Sequence, residues 1–263
     1  LRVESFLRGI REVVRPGDVV IDMGTGTGIF AIAAAQAGAR HVYAIEACGI
    51  GRLAREAFAA NGLADRITLV HGWGSQVTLP ERADVLISEM VGSEPTGDFV
   101  LEVMRDARKR LLKPGAKIVP GKVKVFGLPL TVPRAELNQH IFTTEQAQRW
   151  HEWYGFDFGP LGAGDYNALN GTLQSVRPYA ARDWPTLSEP VLLTEWELMD
   201  IQELMIDVSV PVIATADGYL NGLLVYFEVE MGPGSSFSLH PARVARVVQE
   251  QDEQQRKGHA GHG

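Results

Sequence analysis

The feature that most constrains this chain is the glycine-punctuated alternation of strand and helix signals over residues 17–120. Short apolar, β-branched runs fall at 18–23, 41–46, 66–70, 83–87 and 116–119. Helical patterns separate them at 29–37, 50–61 and 99–112. Gly38 and Gly62 stand where a helix C′ residue belongs, and Lys113-Pro114-Gly115 stops the third helix. Such alternation predicts a parallel sheet with helices on both faces. Ligands of sheets of this kind sit outside the carboxyl ends of the strands.

Beyond Pro120 the period changes. Residues 122–130, 192–198, 205–213 and 223–231 read as strands, with Leu-Val-Tyr-Phe-Glu-Val-Glu-Met (224–231) the clearest two-residue alternation. Short helical pieces and turns rich in Gly, Pro and aromatics fill 134–190. A second, mostly antiparallel region is therefore expected after residue 120. The 263 residues are 45% hydrophobic, enough for a full core. A net charge of −7 argues against a general nucleic-acid binder, which is usually basic. No apolar run approaches the ~20 residues of a membrane helix, and no secretory leader is legible. Cys48 is the only cysteine, so no internal disulfide forms, which suits a reducing compartment and a cytoplasmic location. The stretch 249–263 is polar and of low complexity, and is expected to be a solvated tail rather than a metal site, despite His259 and His262.

The first strand runs into Asp22-Met23-Gly24-Thr25-Gly26-Thr27-Gly28. Glycines let backbone approach a ligand closely, and the following helix N-terminus favours an anionic group. The spacing is GxGxG, not the GxGxxG of dinucleotide binders. The second strand ends on Glu46-Ala47, with Glu46 eighteen residues after Gly28. A carboxylate there accepts hydrogen bonds from both ribose hydroxyls. Together the two features fit S-adenosylmethionine better than NAD. Gly72, Trp73, Gly74 and Ser75, after the third strand, then lie near the adenine.

The fourth strand leads into Ser88-Glu89-Met90-Val91-Gly92-Ser93-Glu94-Pro95-Thr96-Gly97-Asp98. Carboxylates beside a cofactor site are costly unless a cation satisfies them. A guanidinium does so through paired forks, being planar and always charged. Glu89 and Asp98 would hold two of its edges and aim the third nitrogen at the sulfonium methyl. The displacement is in-line and uses no metal, so alignment supplies much of the rate. The bland alternative is an acidic loop in solvent, with Asp98 capping the helix that follows.

These motifs resemble those of the protein arginine methyltransferases. The family's double-glutamate loop reads Ser-Glu-x-x-Gly with a second Glu nine positions after the first. Ser88, Glu89 and Gly92 match, and Asp98 stands at the ninth position; Glu94 is a carboxylate out of register. Arg2, with Phe6 and Ile10, is similar to the family's helix whose arginine meets the cofactor carboxylate. Trp153-Tyr154-Gly155-Phe156-Asp157 is similar to its arm, and Leu-Leu-Val-Tyr-Phe-Glu-Val-Glu (223–230) to a barrel strand. The likeness covers residues 2–240. Two departures stand out: Arg246-Val247-Val248 occupies the place of the family's Thr-His-Trp loop, and Ser75 that of its adenine-contacting Glu.

The resemblance implies an α/β fold: a Rossmann-like S-adenosylmethionine-dependent methyltransferase domain at 1–120, then a mostly antiparallel β-barrel-like domain at 121–245. It also implies a helical dimerisation arm at about 134–170, with the polar tail at 246–263. Glu89, Asp98 and Glu94 become the catalytic candidates. Arg2, Asp22, Gly24, Thr25, Gly26, Gly28, Glu46, Ala47, Gly72, Trp73, Gly74, Ser75 and Glu89 become the cofactor-binding ones, with no metal. The implied activity is methylation of an arginine guanidino nitrogen, in a peptide or protein or in a small guanidino or amino metabolite, by a homodimer. The alternatives are a methyltransferase for another small amine or hydroxyl, and a catalytically weak member that serves as a binding partner.

Overall fold

The structure is a computed structural model that describes residues 2–89, 100–140, 142–162, 175–200 and 207–260. Its elements run α1 (Arg2–Val13), β1 (Val19–Met23), α2 (Ile29–Gln36), β2 (His41–Glu46), α3 (Gly51–Ala60), β3 (Ile67–His71), β4 (Ala83–Ser88), α4 (Val100–Arg110), β5 (Leu112–Val119) and β6 (Lys122–Leu130). Then follow α5 (Arg134–His140), α6 (Thr144–Tyr154), β7 (Val191–Glu197), β8 (Gly222–Gly232), β9 (Ser235–Ser238) and α7 (Pro241–Ala260).

The first five strands form one parallel sheet in the order β3-β2-β1-β4-β5. Every residue of β1 is buried, as the central strand of a sheet covered on both faces requires. Its apolar neighbours come from helices of matching pattern. Phe6, Ile10 and Val13 lie on one face of α1, and Phe6 stacks on Phe30 of α2 at 4.9 Å. The buried alanines 31, 33, 34 and 35 let α2 lie close to the strands. The chain moves outward from β1 through β2 to β3, then returns to the other side of β1 with β4. This reversal opens a crevice between the carboxyl ends of β1 and β4, where Met23 is registered with Ser88.

A second sheet has the order β7-β6-β8-β9, with β8 and β9 antiparallel. The chain divides into two compact units, each assembled from separated segments. One comprises 1–126, 192–210 and 225–243; the other comprises 127–191, 211–224 and 244–263. In the first, β9 lies along α1, and Glu12 accepts from Gly234 N at 2.9 Å and from the Ser235 hydroxyl at 3.0 Å. Such long-range contacts carry residues 225–243 back to the parallel sheet, where no sequence periodicity could place them.

In the second unit, α6 starts with a capping box between Thr143 and Gln146 and ends on Gly155 at φ 75. Trp150 packs edge-to-face against Phe142, Tyr154 and Phe158. Over the stretch expected as an arm, the described elements are α5, α6 and a 3-10 turn at Gly159–Gly162. Its remainder at 163–170 lies outside the described residues.

The stretch 246–260, expected as a polar tail, is helical as part of α7. Its Arg, Gln and Glu residues are good helix formers, and low complexity did not prevent a helix. The strand expected at 205–213 is absent over 207–213, where Pro211 lacks a ladder N–H; 205 and 206 lie outside the described residues. Among the described residues no helix is long and apolar enough to cross a membrane.

Candidate active site

The glycine turn after β1 is built by its backbone. The N–H groups of Gly24 and Thr25 both donate to the Ile45 carbonyl at 3.0 Å, which ties the turn to β2. Gly24, Gly26 and Gly28 take φ values of 77, 55 and 89, the left-handed region that glycine enters without strain. A Cβ added at Gly24 or Gly26 would meet no atom within 4 Å. One added at Gly28 would come to 2.4 Å from the Phe58 ring. The first two glycines therefore leave backbone exposed to an approaching ligand, while the third lets α2 close against α3.

Glu46 closes the same corner. Its Oε2 accepts from Gly26 N at 2.9 Å and its Oε1 from Cys48 N at 2.8 Å. Each carboxylate oxygen keeps a further lone pair for another donor. Gly72 N donates to the Glu46 carbonyl at 3.0 Å, which brings the turn after β3 alongside. Gly74 sits against Met23, since a Cβ there would lie 2.3 Å from the methionine sulfur. Trp73, in the same turn, is 64% exposed.

Asp22 is 1% exposed. Its Oδ2 accepts from the Thr25 hydroxyl at 2.5 Å and from Ala31 N at 3.0 Å. Burial pushes its carboxyl up to about 6, against the pull of these two hydrogen bonds, and the Glu46 charge adds to the rise. Its Oδ1 and the buried Ser88 hydroxyl have no partner among the described residues. Two orphaned polar atoms on neighbouring strands, at the switch point of the sheet, mark where a polar ligand would complete the structure.

Glu89 follows β4 directly. Its Oε1 accepts from Arg2 Nη1 at 2.6 Å, and both side chains are about a third exposed. The Arg2 guanidinium carbon also lies 5.6 Å from the centroid of the Phe237 ring. The carboxyl edge of β1, β2, β3 and β4 thus gathers Asp22, the three glycines, Glu46, the 72–75 turn and Glu89. Arg2 joins them through Glu89. Glu94 and Asp98 lie outside the described residues. Phe237 was missed: it lies 148 residues from Glu89 on a strand whose sequence carries no site signal. The Ser88 hydroxyl was seen only as a motif letter, because an unmet hydrogen bond is legible only in three dimensions.

The family model described as ribosomal protein L11 methyltransferase (PrmA) matches residues 4–158, more than half of the chain. A probable histone-arginine methyltransferase CARM1 of Oryza sativa subsp. indica is 34% identical over 218 residues, 81% of this chain and 40% of the relative. A probable protein arginine N-methyltransferase 6 of Arabidopsis thaliana is 32% identical over 241 residues, 89% of this chain and 53% of the relative. The chain thus spans about half the length, or less, of these curated relatives. Among solved structures, the Trypanosoma brucei PRMT1 enzyme-prozyme heterotetrameric complex with AdoHcy aligns at a TM-score of 0.69 and 24% identity, covering 90% of this chain and 73% of that one. The open conformation of Arabidopsis thaliana protein arginine methyltransferase 10 aligns at 0.70 and 24%, covering 90% and 74%. At such identities the structural likeness is one of fold. A family model over more than half of the chain, with these curated relatives, shows that the chain belongs to the class I S-adenosylmethionine-dependent methyltransferases and is related to the protein arginine N-methyltransferases.

Proposed function

We propose that this chain transfers a methyl group from S-adenosylmethionine to a guanidino nitrogen of arginine, carried by a protein or by a small arginine derivative. The observation that carries the reading is the Arg2–Glu89 contact at 2.6 Å, in which the residue after β4 already holds a guanidinium beside the crevice. The crevice fits the cofactor: Gly24 and Gly26 leave open backbone, and Asp22 Oδ1 and Ser88 Oγ await partners. Asp22, Gly24, Thr25, Gly26, Glu46, Ala47 and the 72–75 turn would hold it, with Arg2 near its carboxylate. Bound there, the cofactor supplies an electrophilic sulfonium methyl group. Glu89 holds the acceptor guanidinium in register and draws its positive charge toward the held edge, so the free nitrogen keeps a usable lone pair. Asp98 is the proposed second carboxylate, with Glu94 its substitute. The spent proton leaves to water.

Purified protein incubated with labelled cofactor tests this directly. The expected result is methylated guanidine on either free arginine or an arginine-rich peptide, identified by mass. Label on neither acceptor, with S-adenosylhomocysteine still bound, overturns the activity. The small acceptor is favoured by Arg246-Val247-Val248, which lies within α7 where the family has its Thr-His-Trp loop. The exposed thiol of Cys48 suits a reducing cytoplasm.

The working form in this reading is a homodimer. Trp153 in the last turn of α6 and Phe156 just beyond the helix are 63% and 67% exposed. A shallow apolar groove of about 310 Å³, lined by Leu7, Ile29, Ile32 and Ala33, runs between α1 and α2. These two aromatics of one copy would fill the groove of a second. Wild-type protein is then dimeric by light scattering, and the double variant Trp153→Glu/Phe156→Glu is monomeric with an unchanged circular dichroism spectrum. A wild type that stays monomeric at tens of micromolar (roughly the range in which a standard-sized interface assembles) excludes the dimer.

A further inference from the structure

Arg110 ends α4 and reaches the turn that follows β3. Its Nη1 donates to the Val77 carbonyl at 2.8 Å and its Nη2 to the Gly74 carbonyl at 2.7 Å. Its Nε donates to Asp106 Oδ1 at 2.8 Å, one helical turn earlier, and Nη2 also meets Asp106 Oδ2. Asp106 therefore fixes the plane of the guanidinium, and the far edge of that plane spans two carbonyls of one turn. Lysine, a point charge on a flexible stem, cannot reproduce a planar fork.

Three anchors hold this turn. Gly72 N is bonded to the Glu46 carbonyl, Gly74 rests on Met23, and Arg110 grips Gly74 and Val77. Within the turn, Gln76 N and Val77 N donate to the Trp73 carbonyl at 2.8 and 3.1 Å. The Gly74 carbonyl and the Ser75 N–H share one planar peptide and point in opposite directions. By taking the carbonyl, Arg110 turns the Ser75 N–H away from itself. Among the described residues that N–H donates no hydrogen bond.

We propose that Arg110 is a positioning residue that sets the 72–77 turn so that its peptide groups, the Ser75 N–H among them, read the edge of the cofactor's adenine. This rests on the cofactor reading above. Arg110 acts through the turn, so its loss blurs recognition of the base and leaves the acceptor end of the site as it was.

The test compares S-adenosylhomocysteine with S-inosylhomocysteine, whose base carries a proton where adenine offers the N1 acceptor. Affinities are measured by calorimetry on wild type, Arg110→Met and Arg110→Lys. Wild type should prefer the adenine compound. In Arg110→Met that affinity falls roughly tenfold, as expected when charge-assisted hydrogen bonds are lost. The inosine compound is held about as before, so the preference collapses. Turnover at saturating cofactor and the KM for the acceptor should stay near wild type, with Arg110→Lys restoring part of the preference. Equal loss of both compounds would mark a merely structural role and overturn the proposal, as would an unchanged preference. A wild type that binds neither compound removes the cofactor reading and this proposal together, whereas failure in the Arg110 variants alone removes only this one. If Arg110→Met does not fold, Asp106→Asn releases the fork and reads the same ratio.

Discussion

Glu89→Gln is expected to cut methyl transfer severely while leaving S-adenosylhomocysteine affinity within a few-fold of wild type. The change keeps the size and planarity of the side chain and removes its charge. A neutral amide still bonds one guanidinium edge, but no longer draws positive charge toward itself, and one of its two former acceptor atoms becomes a donor. By analogy with the loss of one preorganised electrostatic partner of a transition state, turnover should fall by about 10²–10³-fold. Stability should scarcely change. The Arg2–Glu89 pair is about a third exposed on both sides, and such pairs contribute less than about 1 kcal/mol. Single-turnover assays beside calorimetric titration separate the two effects. A variant that turns over at the wild-type rate ends the guanidinium clamp.

Gly26→Val and Gly28→Val should fail for different reasons. Gly26 has φ 55 and open space where its side chain would go. Valine there carries a backbone strain of about 1–3 kcal/mol, yet strikes nothing in the protein itself. The domain should fold with a modestly lower Tm and lose about 100-fold or more in cofactor affinity, since the methyl groups occupy the ligand's approach and a small misplacement at such a site is costly. At Gly28 the added Cβ would lie 2.4 Å from Phe58. Overpacking there adds about 1–3 kcal/mol to the left-handed strain, so Gly28→Val should lose stability first and affinity only as a consequence. Thermal melts and calorimetry on the pair distinguish these outcomes. Normal cofactor binding by Gly26→Val would contradict the assignment of the open space to a ligand.

The two glycines separate what local spacing decides from what packing decides. Their spacing announced a close-approach turn, because only glycine enters the left-handed region freely. Which glycine faces a ligand and which faces Phe58 depends on a residue thirty positions later on α3. Arg2 makes the same point. A helix bearing it was expected from resemblance alone, near the cofactor carboxylate; the fold places its guanidinium on Glu89, 87 residues away. Arg110 lies in a run that resembles the family's, yet nothing there assigns it a role, which emerges only from two carbonyls more than thirty residues upstream.

Residues 17–120 determined their own sheet, because β-branched runs, alanine-rich helices and glycine stops are local preferences that all agree with one parallel topology. The carboxylate at the end of the second strand and the one after the fourth were legible for the same reason: strand ends are set by short-range pattern. Tertiary structure alone decided how residues 225–243 return to the first unit, which polar atoms at the switch point lack partners, and which guanidinium Glu89 holds. Those outcomes depend on contacts between residues far apart in the chain, where burial and hydrogen-bond satisfaction outweigh any preference encoded in neighbouring residues.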